Sequence, residues 1–454
     1  MPRLGPPVDH RVRFNRIVAT QTTRRLGTFE RAETLTAERF AFNVVVVLRL
    51  TGELPEEALR RALDEVQRRH PLLRARITGA GRRRAFEVGE VEPIPLRAVE
   101  RAAEGDWLER VEEELVAGFA IDAGPLARAL RVGGQGVGEP FELVLTFHHA
   151  IVDATAIHHL VGELLALCSG RDDSRPPPQA LPPSADALFP RAFRAPWRWP
   201  RSLRFLTAQA VDELGFRRHS RGRERPVLDR PAACQVLSLA LSEAETTALV
   251  RATRRRRVGL YAALNAAMLL ALVERRHGNR AGPHRYFAFP LLRSYLEPPV
   301  GDDVVAGYLT TLRLTLALEP AAGLWPAAEA IHLQVDRAAK RGERYLASRW
   351  SAASMALLLG QPTRMGTTAL NYAGATPLEV AASAPFTVEG YHAFVSDFPR
   401  GPEYTGQSRI FDRRLWFDIV YLDTDMDRDE AQAIAERMCA LLTASVAEEV
   451  GSSA

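Results

Sequence analysis

Four times along this chain a short β-branched or apolar run leads directly into a helix-period pattern, and this recurrence restricts the fold more than any other feature. The first, "LTAERFAFNVVVVLRLTG", ends in a β-branched strand signal, and "LPEEALRRALDEVQRRHPLLRARI" follows with Pro55 placed for a helix's first turn. Leu59, Ala62, Leu63 and Val66 then fall at i, i+3, i+4 and i+7, one stripe of an amphipathic helix. Pro71 stops that helix, and "LLRARI" reads as the next strand. The same order returns at "FELVLTFHH" with "TAIHHLVGELLALCSG", at "CQVLSLAL" with a helix from Ser242, and at "RRLWFDIVYL" with "DRDEAQAIAERMCALLTASVAEE". The last two helices open with Ser242 and Glu245, and with Asp427 and Glu430, in capping-box spacing. The pattern recurs and the residues do not, so the chain is expected to form α/β layers with mixed sheets.

A chain of 454 residues has room for two or three such units. The boundary is placed at the Pro-rich stretch, where residues 169–200 carry eight prolines and no sustained apolar period. This gives an N-terminal lobe over 1–170, a linker over 171–200 and a C-terminal lobe over 201–454. Phe189, Phe193, Trp197 and Trp199 predict that the linker packs on the surface, and function is sought where the lobes meet.

The bulk numbers exclude several classes. Cys168, Cys234 and Cys439 are far apart and in no CxxC spacing, which predicts neither a disulfide framework nor a zinc module and points to a reducing cytoplasm. The N-terminus has no signal-type apolar core, and "LYAALNAAMLLALV" is too short for a membrane span and reads as a buried helix. A net charge of +4 is too small to argue for nucleic acid, and "RRRR" at 254–257 reads as a solvated helix end.

Against this background "FHHAIVDATAI", residues 147–157, is unusual. Adjacent strand residues face opposite ways, so His148 and His149 cannot both enter one site. With the strand ending at His149, Asp153 stands where the next helix begins, free to cap it or to bond a buried cation. Three readings stay open from the residues: a core histidine beside a capping aspartate, a catalytic histidine, or a metal site recruiting His158 and His159. Helical geometry turns His158 and His159 away from His149, so no metal is expected.

"HHAIVDA" resembles the HHxxxDG signature of the condensation-domain superfamily. That group includes nonribosomal peptide condensation domains, chloramphenicol acetyltransferase, polyketide-associated acyltransferases and wax ester synthases. The similarity extends to "LTAERF", "LTGELPEEALRRALDEVQRRHPLLRARI", "FAIDAGPLARALRV", "VGLYAALNAAMLLALV", "FAFPLLRSYL" and "NYAGATPLEV". It implies two chloramphenicol-acetyltransferase-like α/β lobes in a V-shaped arrangement, with a tunnel at their junction. It further implies that His149 is the catalytic base, His148 a supporting residue and Asp153 a structural member of the constellation. Arg293 matches the arginine that pairs with that aspartate, and Asn371 stands near the tunnel as a substrate or oxyanion contact. Ala154 replaces the family glycine, which is harmless only where φ is negative. "DFPRGP" at 397–402 departs from the plant members' DFGWG motif and is given no role.

Acyl transfer from a thioester to a hydroxyl needs a base on the nucleophile and donors for the tetrahedral oxyanion. The expectation is therefore a free-standing acyltransferase with no tightly bound cofactor, acting in specialised-metabolite or lipid assembly. Its donor is a thioester of coenzyme A or of an acyl or peptidyl carrier protein, and its acceptor a small alcohol or amine. A non-catalytic carrier-protein recruitment module with the same fold is the alternative, and Ala154 gives it room.

Overall fold

The computed structural model describes residues 22–452 except 102, 104, 135–138, 171–175, 195–198, 221–231, 379 and 382. The N-terminal stretch read for targeting, and Trp197, lie outside the described residues. The first half supplies β1 (Thr23–Arg25), β2 (Asn43–Gly52), β3 (Ala75–Thr78), β4 (Ala85–Val88), β5 (Leu96–Val99), β6 (Ala127–Val132) and β7 (Phe141–His148). The second supplies β8 (Cys234–Ala240), β9 (Gly282–Ala288), β10 (Leu312–Leu318), β11 (Gly366–Ala375), β12 (Phe386–Val395), β13 (Pro402–Phe411) and β14 (Arg414–Leu422).

These strands form two large mixed sheets, in the orders β12-β2-β7-β6-β5 and β10-β9-β11-β13-β14-β8, with a small sheet β1-β4-β3 beside the first. Parallel pairs occur at β5–β6, β11–β13 and β11–β9, and the other pairs are antiparallel. The α/β layers with mixed sheets read from the strand-and-helix recurrence, and the two lobes implied by the resemblance, are those found. One strand breaks the linear order: β12, from the second half of the chain, pairs along its length with β2 in the first sheet.

The valine run of β2 explains how the lobes hold together. Val44, Val46, Leu48 and Leu50 point into the first core, against Leu59, Leu63 and Val66 and against Leu160 and Leu164. Val45 and Val47 point the other way and meet Val236 of β8, Val420 of β14 and Phe394 of β12. A strand buried on both faces needs apolar residues at every position instead of alternate ones.

Helices α1 (Thr28–Ala37), α2 (Glu56–Arg69), α3 (Asp106–Val116) and α4 (Ala154–Cys168) belong to the first lobe. In the second lie α5 (Glu243–Arg256) and α6 (Leu260–Arg276), whose residues Ala262 to Val273 are all buried. Ser242 and Glu245 make the expected capping box on α5. Two local expectations are corrected. Pro55 is the N-cap of α2 and not inside its first turn. Pro71 opens a 3₁₀ turn, Pro71–Arg74, so the strand predicted from Leu72 begins only at Ala75. Beyond the undescribed residues the linker packs down: Phe189 is fully buried, and its ring and that of Phe193 contact Tyr345. Among the described residues no single helix is long and apolar enough to cross a membrane.

Candidate active site

Strand β7 carries Phe141, Leu143, Leu145 and Phe147 into the first core, which turns Thr146 and His148 toward α3. The strand ends at His148, one residue earlier than expected, and His149 opens a 3₁₀ turn of three residues, His149–Ile151. The two imidazoles therefore diverge. His148 is 1% exposed, and its Nδ1 accepts the Ala150 N–H at 3.1 Å. Burial, with His149 adjacent, pushes the His148 pKa down to about 3, so it is neutral at physiological pH and braces the turn.

His149 is held by aromatic rings. Phe42 stacks on it with centroids 5.2 Å apart, and Phe29 of α1 meets it edge-on at 6.5 Å. Its Nδ1 is buried and makes no hydrogen bond of ordinary geometry, with its own backbone carbonyl as the acceptor it faces. Nε2 is the nitrogen left accessible. Burial lowers the His149 pKa, opposed by that carbonyl and by Asp153, so the ring is neutral near pH 7.

Asp153 both caps α4 and bonds a cation, the two roles its position allowed. Its Oδ1 accepts the Ala156 N–H at 2.8 Å, and Oδ2 accepts the Tyr308 N–H at 2.9 Å. Arg293 reaches it through Nε and Nη2, each at 2.9 Å, and spends its remaining donors on the carbonyls of Gly301, Val304 and Ala306. All five guanidinium N–H groups are thus engaged, which a buried charge requires.

A cavity of about 570 Å³ opens at the junction, lined from the first half by Phe29, Glu33, Phe42, His149 and Ala154. From the second half come Phe287, Phe289, Leu312, Met365, Asn371, Phe398 and Gln407. Asn371 donates to Gln407 across the parallel pair β11–β13 at 3.0 Å. One imidazole in a largely apolar chamber, neutral and open at Nε2, can take a proton from a bound nucleophile.

Comparison with known proteins assigns the chain. Residues 31–186 match the family described as Condensation domain, and residues 230–408 match the C-terminus of phthiocerol/phthiodiolone dimycocerosyl transferase. The chain belongs to the condensation-domain superfamily of acyltransferases. Among curated relatives of this superfamily, chondramide synthase cmdD of Chondromyces crocatus is 32% identical over 157 residues, 33% of this chain. The match spans only 4% of that synthase. The phthiocerol/phthiodiolone dimycocerosyl transferase of Mycobacterium sp. (strain JLS) is 28% identical over 307 residues, 65% of this chain and 68% of that protein. Among solved structures, TRI3 trichothecene 15-O-acetyltransferase of Fusarium sporotrichioides superposes with a TM-score of 0.73 at 14% identity. That match covers 96% of this chain and 100% of the acetyltransferase. Members of the superfamily use thioesters of coenzyme A or phosphopantetheine.

The one departure from the superfamily signature costs nothing here. Ala154 is the first residue of α4 and is not among the residues with positive φ, so no left-handed conformation is forced on it. His158 and His159 do turn away from His149: His158 stacks near Tyr391, while His159 lies with His70 and Glu163. In that group Glu163 is already bonded by His70 at 2.7 Å and Arg69 at 2.7 Å. "DFPRGP", for which the sequence predicts no role, contributes Asp397, Phe398 and Pro402 to the cavity lining. Asp397 is closed in by the Phe398 N–H and Thr405 Oγ1, and burial raises its pKa to about 7.

Sequence reasoning also missed Glu33, Phe29 and Phe42. A signal existed for Glu33. In "TFERAETLTA" Phe29, Ala32, Glu33 and Thr36 fall at i, i+3, i+4 and i+7 and are all buried, so an acid occupies the apolar stripe.

Proposed function

We propose that the protein transfers an acyl group from a thioester of coenzyme A or of a phosphopantetheinyl carrier protein to a hydroxyl, forming an ester in specialised-metabolite assembly. The observation that carries this is the neutral His149, walled by Phe29 and Phe42 and open to the cavity at Nε2. A proton on Nδ1, toward the backbone carbonyl, leaves the Nε2 lone pair for the acceptor. As the hydroxyl oxygen attacks the thioester carbonyl, its proton passes to Nε2. The tetrahedral intermediate then collapses, the C–S bond breaks, and the leaving thiolate takes the proton from the imidazolium. Neutrality matters because an imidazole that is already protonated cannot act as base.

His148, Asp153 and Arg293 hold the turn without touching the reacting atoms, and Ala154, a lining residue at the start of α4, retains its backbone N–H. That N–H and the Asn371 amide are the groups we assign to the oxyanion. An amine acceptor would use the same cavity with less demand on the base. The recruitment-module alternative drew room from Ala154, and the absence of a positive φ at that residue takes this room away. Two of the three compared proteins, the dimycocerosyl transferase and the 15-O-acetyltransferase, are named as acyl-group transferases.

The test is a thiol-release assay with coenzyme A and carrier-protein thioesters of graded chain length against alcohols and amines, with products identified by mass. Acceptor-dependent thiol release with an ester product is expected. Thioester binding with no transfer to any acceptor contradicts the proposal and restores the recruitment module.

A further inference from the structure

Glu33 lies one helical turn along α1 from Phe29, the residue whose ring meets His149 edge-on. Residues four apart share a helix face, and Glu33 and His149 both line the cavity. Glu33 is 5% exposed, and its buried Oε2 meets no hydrogen-bond donor among the described residues. Other buried acids are treated differently. Asp153 has Arg293 and two backbone N–H groups, Asp418 has His392 and Arg409, and Glu30, on the same helix, has Arg24 and the Gly27 N–H.

A buried polar group without a partner destabilises the fold, so a missing donor of this kind points to a partner that arrives from outside. With no cation beside it, burial pushes the Glu33 pKa up to about 8, and near neutral pH the side chain is a carboxylic acid. Such a group offers one O–H donor and a carbonyl acceptor. A hydroxyl answers both. An ammonium would first have to shed its own water in an apolar chamber, a loss that its attraction to a carboxylate only about balances.

We propose that Glu33 is the acceptor-reading residue of this cavity, its carboxyl hydrogen-bonding a hydroxyl group of the substrate and holding it against α1 beside His149. The assignment rests on the acyl-acceptor reading of the cavity and adds to it the group that selects a hydroxyl-bearing molecule.

Binding of 1-octanol and of octyl methyl ether, which lacks the O–H, is measured by titration calorimetry on the wild type, Glu33→Gln and Glu33→Leu. The wild type is expected to prefer the alcohol by about tenfold, the net worth of one good hydrogen bond. Glu33→Gln, whose amide also donates and accepts, keeps that preference within about threefold, and Glu33→Leu loses it. Should the leucine variant fail to fold, Glu33→Ala takes its place. A preference that survives in the apolar variant, or a wild type that does not discriminate, overturns the proposal. No turnover enters this measurement, so failure of the acyl-transfer reading and failure of the Glu33 assignment are scored apart.

Discussion

Arg293 and Asp153, 140 residues apart in sequence, join at 2.9 Å through two guanidinium nitrogens, and the contact fixes the turn that carries His149 to the second half of the chain. Both are nearly fully buried, at 4% and 2% exposure. Breaking such a pair by removing one partner leaves an unmatched buried charge, at about 3–5 kcal/mol. Arg293→Ala and Asp153→Ala are therefore expected to lose about that much in urea unfolding, and activity with it. Arg293→Lys rescues little, because three N–H donors cannot replace five in a planar fork. Full stability in Arg293→Lys would show that the fork is not needed.

His148 makes the fold sensitive to acid. Its pKa is near 6.5 unfolded and about 3 folded, so between those values the unfolded chain binds the extra proton. Its contribution is complete above pH 6.5 and declines as pH falls toward 3, at up to about 1.4 kcal/mol per pH unit. In His148→Asn, which keeps an acceptor for the Ala150 N–H, the loss of stability between pH 7 and pH 4 should be shallower by one proton. An unchanged slope would place the acid sensitivity elsewhere.

Glu33 acts with the opposite sign. Its folded pKa of about 8 lies above the usual carboxyl value, so its contribution is intact below about pH 4.5 and is lost as pH rises toward 8. Glu33→Gln should match the wild type near pH 4.5 and become more stable than it by a few kcal/mol, about 1.4 per pH unit, on approaching pH 8. Thermal melts at the two pH values read this difference without any ligand.

Restoring the superfamily glycine should bring no gain. Ala154→Gly at the first position of α4 is expected to cost about 0.5–1 kcal/mol through backbone entropy and to leave thiol release within about twofold. A large rise in turnover would mean that Cβ of Ala154 obstructs the cavity.

The layers were legible because they depend on period. The stripe of Leu59, Ala62, Leu63 and Val66, the capping box of Ser242 and Glu245 and the buried run Ala262 to Val273 are local patterns, and they form as read. The crossover of β12 was not legible, since pairing with β2 is a relation between residues more than 300 apart, such as Phe394 and Val45. The same divide runs through the site. The HHAIVDA stretch announced itself, whereas Glu33, Phe42 and Asp397 matter through a cavity that exists only once both halves are folded. An acid in an apolar stripe was the local clue, and by itself it does not say which cavity the acid lines.

Turnover of His149→Ala, measured on a thioester and alcohol pair that the wild type converts, tests the central claim most directly. The loss of a positioned base predicts a fall of about 10²–10⁴-fold in kcat, with thermal stability and thioester binding retained. A well-folded His149→Ala protein that releases thiol at the wild-type rate would show that this imidazole is not the base.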